Sequence, residues 1–289
     1  MRLIGIMPVR NEEWVIGLSL RAALLWMDAI VVLNHCSTDG TADILAQVEG
    51  EHRGRVKVIN ESDPTWYEMA HRQKMLVAAR KMGASHIGLI DADEVLTANI
   101  IPYVRQVAET LQPGVVLQLP WLCLWRSMEK IRSDAGSVWS RAEKSTAFAD
   151  CDACHWKQRD GYEFHHTHPI GNRGFQRGFN RQQGGLFHLQ FVRWRALLAK
   201  QALYKMTERI RWPNKAVSAI DDMYSATVSE TGLEATDAPQ GWLGPYSTLM
   251  RFLDLDESTA PWQETRCQEM WIEHGAETFD GLDLFGVVE

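Results

Sequence analysis

Long apolar runs are what this 289-residue sequence most plainly lacks. No uninterrupted stretch reaches the roughly 20 residues a helix needs to cross a bilayer, and Asp28 interrupts the nearest candidate. The amino terminus enters a strand-like run at once, without the charged head and apolar core of a secretion signal. A cytoplasmic protein with no transmembrane segment is therefore expected. Cysteine is sparse: five residues, an odd number, fit a reducing compartment better than a disulfide framework. Internal repeats and low-complexity segments are missing too. No recognised nucleic-acid-binding module is present, so nucleic acid is not an expected partner. What remains, 45% hydrophobic and 23% charged, is enough to bury a full core.

Charge is unevenly distributed around a net of −7. Residues 155–215 hold 12 Lys and Arg against 3 Asp and Glu, whereas residues 216–289 hold 2 against 15. The basic middle includes Arg173, Arg177 and Arg181 in a glycine-rich run. It could meet a phosphate-bearing acceptor or a donor diphosphate, or pack against the acidic tail.

Apolar periodicity predicts strands near residues 3–8, 29–34, 55–59, 86–91 and 115–119. Helical patterns near 12–27, 41–48, 66–82 and 98–111 separate them. That alternation predicts an α/β fold with a mostly parallel sheet flanked by helices. After Trp121 the pattern turns irregular, then becomes helical over Arg195–Ile210 until Pro213, and again near Tyr246–Leu253 and Trp262–His274. The expected organisation is a domain over 1–212, with a nucleotide-binding half at 1–119 and an acceptor half at 120–212. An acidic helical extension over 213–289 follows.

Three of the apolar runs end in clusters of polar groups. Leu3–Pro8 leads into Arg10-Asn11-Glu12-Glu13, and Ala29–Leu33 leads into Asn34 through Thr41. Ile87–Ile90 ends in Asp91-Ala92-Asp93-Glu94. In a parallel sheet those ends share one edge, where open α/β sheets bind ligands. Two carboxylates one residue apart can present oxygen to a hard divalent cation, which in turn can hold a diphosphate.

Taken together, Pro8-Val9-Arg10-Asn11-Glu12, Asn34–Thr41 and Asp91-Ala92-Asp93 resemble the three signature segments of family 2 glycosyltransferases with the GT-A fold. The order and rough spacing match over about the first two-thirds of the chain. The resemblance implies sugar transfer from a nucleotide-sugar donor to an acceptor hydroxyl, with inversion, aided by Mn²⁺ or Mg²⁺. It implies donor contacts from Pro8, Arg10, Asn11, Glu12, Asn34, Ser37, Asp39, Arg72, Asp91 and Ala92. Asp91 is expected near the ribose and the metal, with Asp93 and His188 on the metal. An imidazole in that set favours Mn²⁺. A lone His in an apolar run can equally be a hydrogen-bonded core residue. The chain departs from the family in having Asn34 where Asp is usual and Cys36 where Gly is usual. An amide accepts a base N–H only through its oxygen, so a UDP-sugar is the leading donor with the base open.

Gln190, Arg193 and Trp194 spell the QxxRW pattern of processive family 2 synthases, giving them a possible acceptor or diphosphate role beside a packing one. Candidate bases for the acceptor, a glycan or another hydroxyl compound, are Asp160 and Glu163, followed by Asp150 and Asp152. Cys151-Asp152-Ala153-Cys154-His155 matches the haem attachment pattern. With His165, His166 and His168 it could instead assemble a structural zinc site, though no metal is the favoured reading. Two other functions stay open. A sugar-phosphate nucleotidyltransferase would normally carry a glycine-rich basic loop after the first strand, where this chain has Val9–Glu13 and no glycine. A non-catalytic nucleotide- or glycan-binding protein could use some of the twelve tryptophans for sugar stacking.

Overall fold

The computed structural model describes residues 1–157 and 168–288. The strands are β1 (Leu3–Val9), β2 (Ala29–His35), β3 (Val56–Glu61), β4 (His86–Leu89), β5 (Glu94–Leu96), β6 (Val116–Cys123), β7 (Lys130–Arg132), β8 (Glu143–Ala149), β9 (Phe175–Arg177), β10 (Leu186–His188) and β11 (Ala235–Asp237). The helices are α1 (Glu13–Ala23), α2 (Thr41–Glu51), α3 (Glu68–Lys81), α4 (Ile101–Glu109), α5 (Trp194–Arg211), α6 (Val217–Val228), α7 (Gln240–Leu243) and α8 (Trp262–His274).

Among the described residues the main sheet has nine strands in the order β3-β2-β1-β4-β8-β6-β10-β5, with β9 joined to β6. β3, β2, β1 and β4 run parallel. β8 then reverses direction against both β4 and β6. The sheet is thus mixed, with a parallel half where the sequence alternates strand and helix. β1 and β2 are buried along their whole length, as strands covered on both faces must be. Ile30 and Val32 face one core cluster and Ala29, Val31 and Leu33 the other, the period-2 alternation of a strand.

The chain divides into two compact units. The first comprises Met1–Leu122, Arg141–His188 and Ala238–Asp254. The second comprises Cys123–Ser140, Leu189–Asp237 and Leu255–Glu289. Residues 238–254, drawn by sequence into the acidic extension, thus fold with the first unit. There the Tyr246 hydroxyl donates to the Leu96 carbonyl at 2.8 Å and the Arg21 guanidinium lies 3.8 Å from the Phe252 ring centre. The helix expected near Tyr246–Leu253 is replaced by short 3₁₀ turns at Gly244–Tyr246 and Met250–Phe252; Pro245 removes an amide donor there. In the second unit, α5 and α8 share an apolar cluster that includes Met206, Cys267 and Met270. Among the described residues no helix is long and apolar enough to cross a membrane.

Candidate active site

The loops after β1 and β2 are stapled to each other. β1 and β2 pair in register, Val9 opposite Asn34, so their exits start side by side. The Asn11 amide nitrogen of the backbone donates to Ser37 Oγ (3.0 Å), and Thr38 N donates to Asn11 Oδ1 (2.7 Å). Glu12 N donates to Thr41 Oγ1 (2.8 Å), Glu13 N to Asp39 Oδ2 (3.1 Å), and Gly40 N to Glu13 Oε2 (2.6 Å). Each such bond contributes about 1 kcal/mol net, and together they fix one loop conformation. Asn11 and Cys36 sit at φ +53° and +48°, left-handed backbone that side chains other than Asn, Asp and Gly rarely adopt. Cys36, standing where the family usually has Gly, is held there by its thiol donating to the Glu61 carbonyl at 3.1 Å. Asn11, Ser37 and Asp39 therefore use polar atoms on the scaffold of the edge. The Glu12 carboxylate accepts from Trp14 Nε1 at 2.6 Å.

Asn34 is 7% exposed, and its Nδ2 donates to Asn60 Oδ1 on β3 at 3.1 Å. That bond turns the other end of the amide away from Asn60. Asn34 Oδ1 is buried, and among the described residues no group donates to it. A buried oxygen without a donor is costly, so this atom is suited to an N–H from a ligand. On the opposite face of β2, the His35 ring clusters with Trp66 and His71, the three centroids 4.9–5.1 Å apart, and its Nδ1 lies 3.4 Å from Arg10 Nη1. Burial and then Arg10 hold the His35 pKa below its ordinary value, so this imidazole stays neutral.

The third edge, beyond β4, carries a buried charge network. Arg72 on α3 donates to Glu68 Oε1 (2.8 Å) and Asp91 Oδ1 (3.1 Å). Lys144 on β8, 3% exposed, donates to Asp91 Oδ2 and, at 2.8 Å, to Glu94 Oε1. Its ammonium also lies 4.7 Å from the Trp121 ring centre. Burial opposes the Asp91 charge, but Lys144 and Arg72 outweigh it and hold that carboxyl far below the usual range. Glu94, fully buried and sharing one cation, is pushed up to about 7 by burial and by the like charges of Asp91 and Asp93. Both Asp91 oxygens face protein cations in this arrangement, which compete for them with the metal that the resemblance implies. Even so, 29% of the Asp91 side chain stays exposed for contact with a ligand. Lys144 was not singled out from the sequence; it sits in the stretch that lacks clear periodicity.

His188 comes to this edge because β10 pairs antiparallel with β5, His188 opposite Glu94. Gly185 permits β10 to approach β6, since a Cβ there would lie 2.3 Å from the Pro120 carbonyl oxygen. His188 Nε2 lies 3.4 Å from Asp93 Oδ2, and the imidazole stacks on Trp121 with centroids 4.2 Å apart and planes 11° from parallel. Among the described residues no group of three or more His, Cys, Asp and Glu is placed to hold a metal ion. Asp93 and His188 do form a two-member N,O pair. A divalent cation at a nucleotide site commonly takes one or two protein ligands and completes its shell with phosphate oxygens and water. The residues present fit that donor set.

Other sequence candidates lie elsewhere. Asp160, Glu163, His165 and His166 fall outside the described residues. Asp150 is clasped by Arg80 through bonds of 2.7 and 2.8 Å, which commits it to holding the chain after β8; Asp152 is exposed. His155 Nδ1 lies 2.8 Å from the Ala153 carbonyl and the His168 ring meets Phe175, so neither described histidine joins Cys151 and Cys154 in a zinc set. Gln190, Arg193 and Trp194 belong to the second unit. Gln190 Oε1 accepts from Lys200 (3.0 Å), Arg193 donates to the Asp256 carbonyl (3.2 Å), and Trp194 carries the Arg126 guanidinium over its ring at 3.9 Å.

A mixed α/β sheet that gathers three polar strand exits and an Asp–His pair at one edge is the layout of a GT-A glycosyltransferase. Residues 6–182, more than half of the chain, match the model of glycosyl transferase family 2, and the chain belongs to that family. Several solved structures are similar in fold. The S. aureus TarS 1–349 complex with UDP aligns at 16% identity over 52% of this chain and 47% of that one, with a TM-score of 0.38. This chain thus spans about half the length of that neighbour. A further structure of S. aureus TarS 1–349 aligns at 12% identity over 100% and 83%, TM-score 0.46. The mannosyltransferase PcManGT from Pyrobaculum calidifontis, in complex with GDP-Man and Mn²⁺, aligns at 14% over 95% and 75%, TM-score 0.38. No curated protein matches the chain.

Proposed function

We propose that the protein is a metal-dependent, inverting glycosyltransferase that moves a sugar from a nucleoside-diphosphate donor to a hydroxyl of a glycan or related acceptor. The observation that carries this reading is the meeting of the stapled 8–13 and 34–41 loops with Asp91, Asp93 and His188 at one sheet edge. Asn34 Oδ1, steered by Asn60, accepts an N–H from the donor base. Asp91, held charged by Arg72 and Lys144, faces the donor ribose. Asp93 and His188 are the protein ligands for Mn²⁺ or Mg²⁺, and such a cation, when bound, neutralises charge on the departing diphosphate. Trp121 keeps the imidazole plane fixed by stacking. A carboxylate of the acceptor half, Asp160 or Glu163, takes the acceptor proton. UDP-sugars are the leading donors.

A thermal-shift panel tests this reading and its base preference. Uracil and guanine carry a ring N–H, whereas cytosine and adenine carry accepting ring nitrogens and donate only from exocyclic amino groups. With Mn²⁺, UDP or GDP at about 100 times Kd should stabilise the fold by about 2.7 kcal/mol. That corresponds to a rise of roughly 5–10 °C for a chain of this size. CDP and ADP should shift it far less. No shift with any of the four, with metal present, would contradict the proposed donor site.

A further inference from the structure

Cys151 and Cys154 form a feature that sugar transfer does not use. They follow β8 in a tight turn closed by Cys154 N donating to the Cys151 carbonyl at 2.9 Å. Their sulfurs lie 3.5 Å apart, both as free thiols. Arg80 pins the turn: its Nη2 donates to the Cys151 carbonyl (3.0 Å), the Cys154 carbonyl (2.8 Å) and Asp150. The other cysteines differ. Cys123 and Cys267 are buried with their sulfurs near backbone carbonyls at 3.9 Å, and Cys36 is tied to Glu61. The pair is also asymmetric, since Cys151 is partly exposed while Cys154 is fully buried.

We propose that Cys151 and Cys154 are a reversible dithiol–disulfide site whose co-reactant is a low-molecular-weight disulfide such as glutathione disulfide. The Cys151 thiolate, the accessible member, attacks one sulfur of the oxidant. That S–S bond breaks, one thiolate leaves and takes up a proton, and a mixed disulfide forms on Cys151. Cys154 then attacks the Cys151 sulfur, expelling the second thiolate, which takes up the proton that Cys154 gives up. Two protein S–H bonds are oxidised to one S–S bond, and one small disulfide is reduced to two thiols. Burial pushes the Cys154 thiol up to about 12, which suits it to the second step rather than the first. The 3.5 Å sulfur separation and the turn held by Arg80 bring the two thiols within van der Waals contact, the position from which a disulfide closes. This proposal stands on geometry away from the Asp91–Asp93 turn and is independent of the donor reading.

The test is intact-mass counting of alkylated thiols after equilibration of the full chain in glutathione buffers of graded oxidation, followed by denaturing quench. The expected result is a species with two fewer alkyl groups than the reduced protein, reversed by dithiothreitol, with Cys151 and Cys154 linked in one peptide. Cys154→Ser should stop at a glutathione adduct on Cys151, and Cys151→Ser should lose the linked pair altogether. Folding of both variants is checked by circular dichroism; if either fails to fold, the wild-type peptide map decides. Linkage of another pair, alkylation of all five thiols in oxidising buffer, or stoichiometric zinc protecting both thiols would each overturn the proposal.

Discussion

Asp93→Asn is expected to lower the rate of sugar transfer by about 10²–10⁴-fold, because a bound cation supplies several kcal/mol of charge stabilisation and each 1.36 kcal/mol is tenfold in rate. The same substitution should leave thermal stability unchanged or slightly raised. Asp93 is 6% exposed, and its charge already repels its neighbours, contributing to the raised pKa of Glu94. Removing that charge relieves repulsion while keeping the shape of the side chain. Loss of activity together with loss of stability would reveal a structural role instead. Comparison of initial rates against melting temperatures, wild type beside variant over a Mn²⁺ series, separates the two.

Lys144→Met should be strongly destabilising. It deletes the ammonium shared by Asp91 and Glu94 and leaves two carboxylates next to each other in a buried setting. Breaking a buried pair by removing one partner costs about 3–5 kcal/mol, a fall in melting temperature on the order of 10 °C. Glu94, already pushed up to about 7, can take a proton and relieve part of that cost. A carboxyl whose folded pKa is raised is most compatible with the fold below that pKa, and the compatibility is lost as pH rises through it. Lys144→Met also takes away the cation that lowers the Glu94 pKa, so Glu94 stays protonated to higher pH in the variant than in the wild type, and the deficit should be smallest near and below pH 7 and grow as pH rises above it. Lys144→Met with Glu94→Gln should recover about 1–3 kcal/mol of it as a coupling energy. Differential scanning calorimetry at two pH values checks both points, and equal deficits in the single and double variants would sink the network account.

The parallel half of the fold was legible because β1, β2 and β4 are short apolar runs ended by polar residues, and α1–α4 fill the intervals with helical periodicity. The same pattern exposed the Asp91–Asp93 turn and the loops that meet it. Lys144 was hidden for a physical reason: an antiparallel strand with a charged residue buried at its start shows no simple alternation, and only tertiary pairing tells a buried lysine from a surface one. Asn60 was hidden likewise, since its role exists only through the register of β2 with β3. Ser37 and Asp39, expected as donor contacts, also accept the loop-to-loop staples; a polar cluster at a strand exit looks the same in sequence whether it binds a ligand or another loop. The left-handed backbone at Cys36 was foreshadowed only by the family's usual glycine there.

The central claim is that one sheet edge, formed by the exits of β1, β2 and β4 with His188 from β10, holds a nucleotide and a divalent cation together. Anomalous diffraction at the manganese edge, from crystals grown with Mn²⁺ and UDP, tests it most directly. The account predicts one manganese peak within coordination reach of Asp93 and His188, beside the diphosphate, with the uracil ring N–H on Asn34 Oδ1. A manganese peak bound elsewhere, or UDP bound away from Asn34 and Asp91, would contradict it.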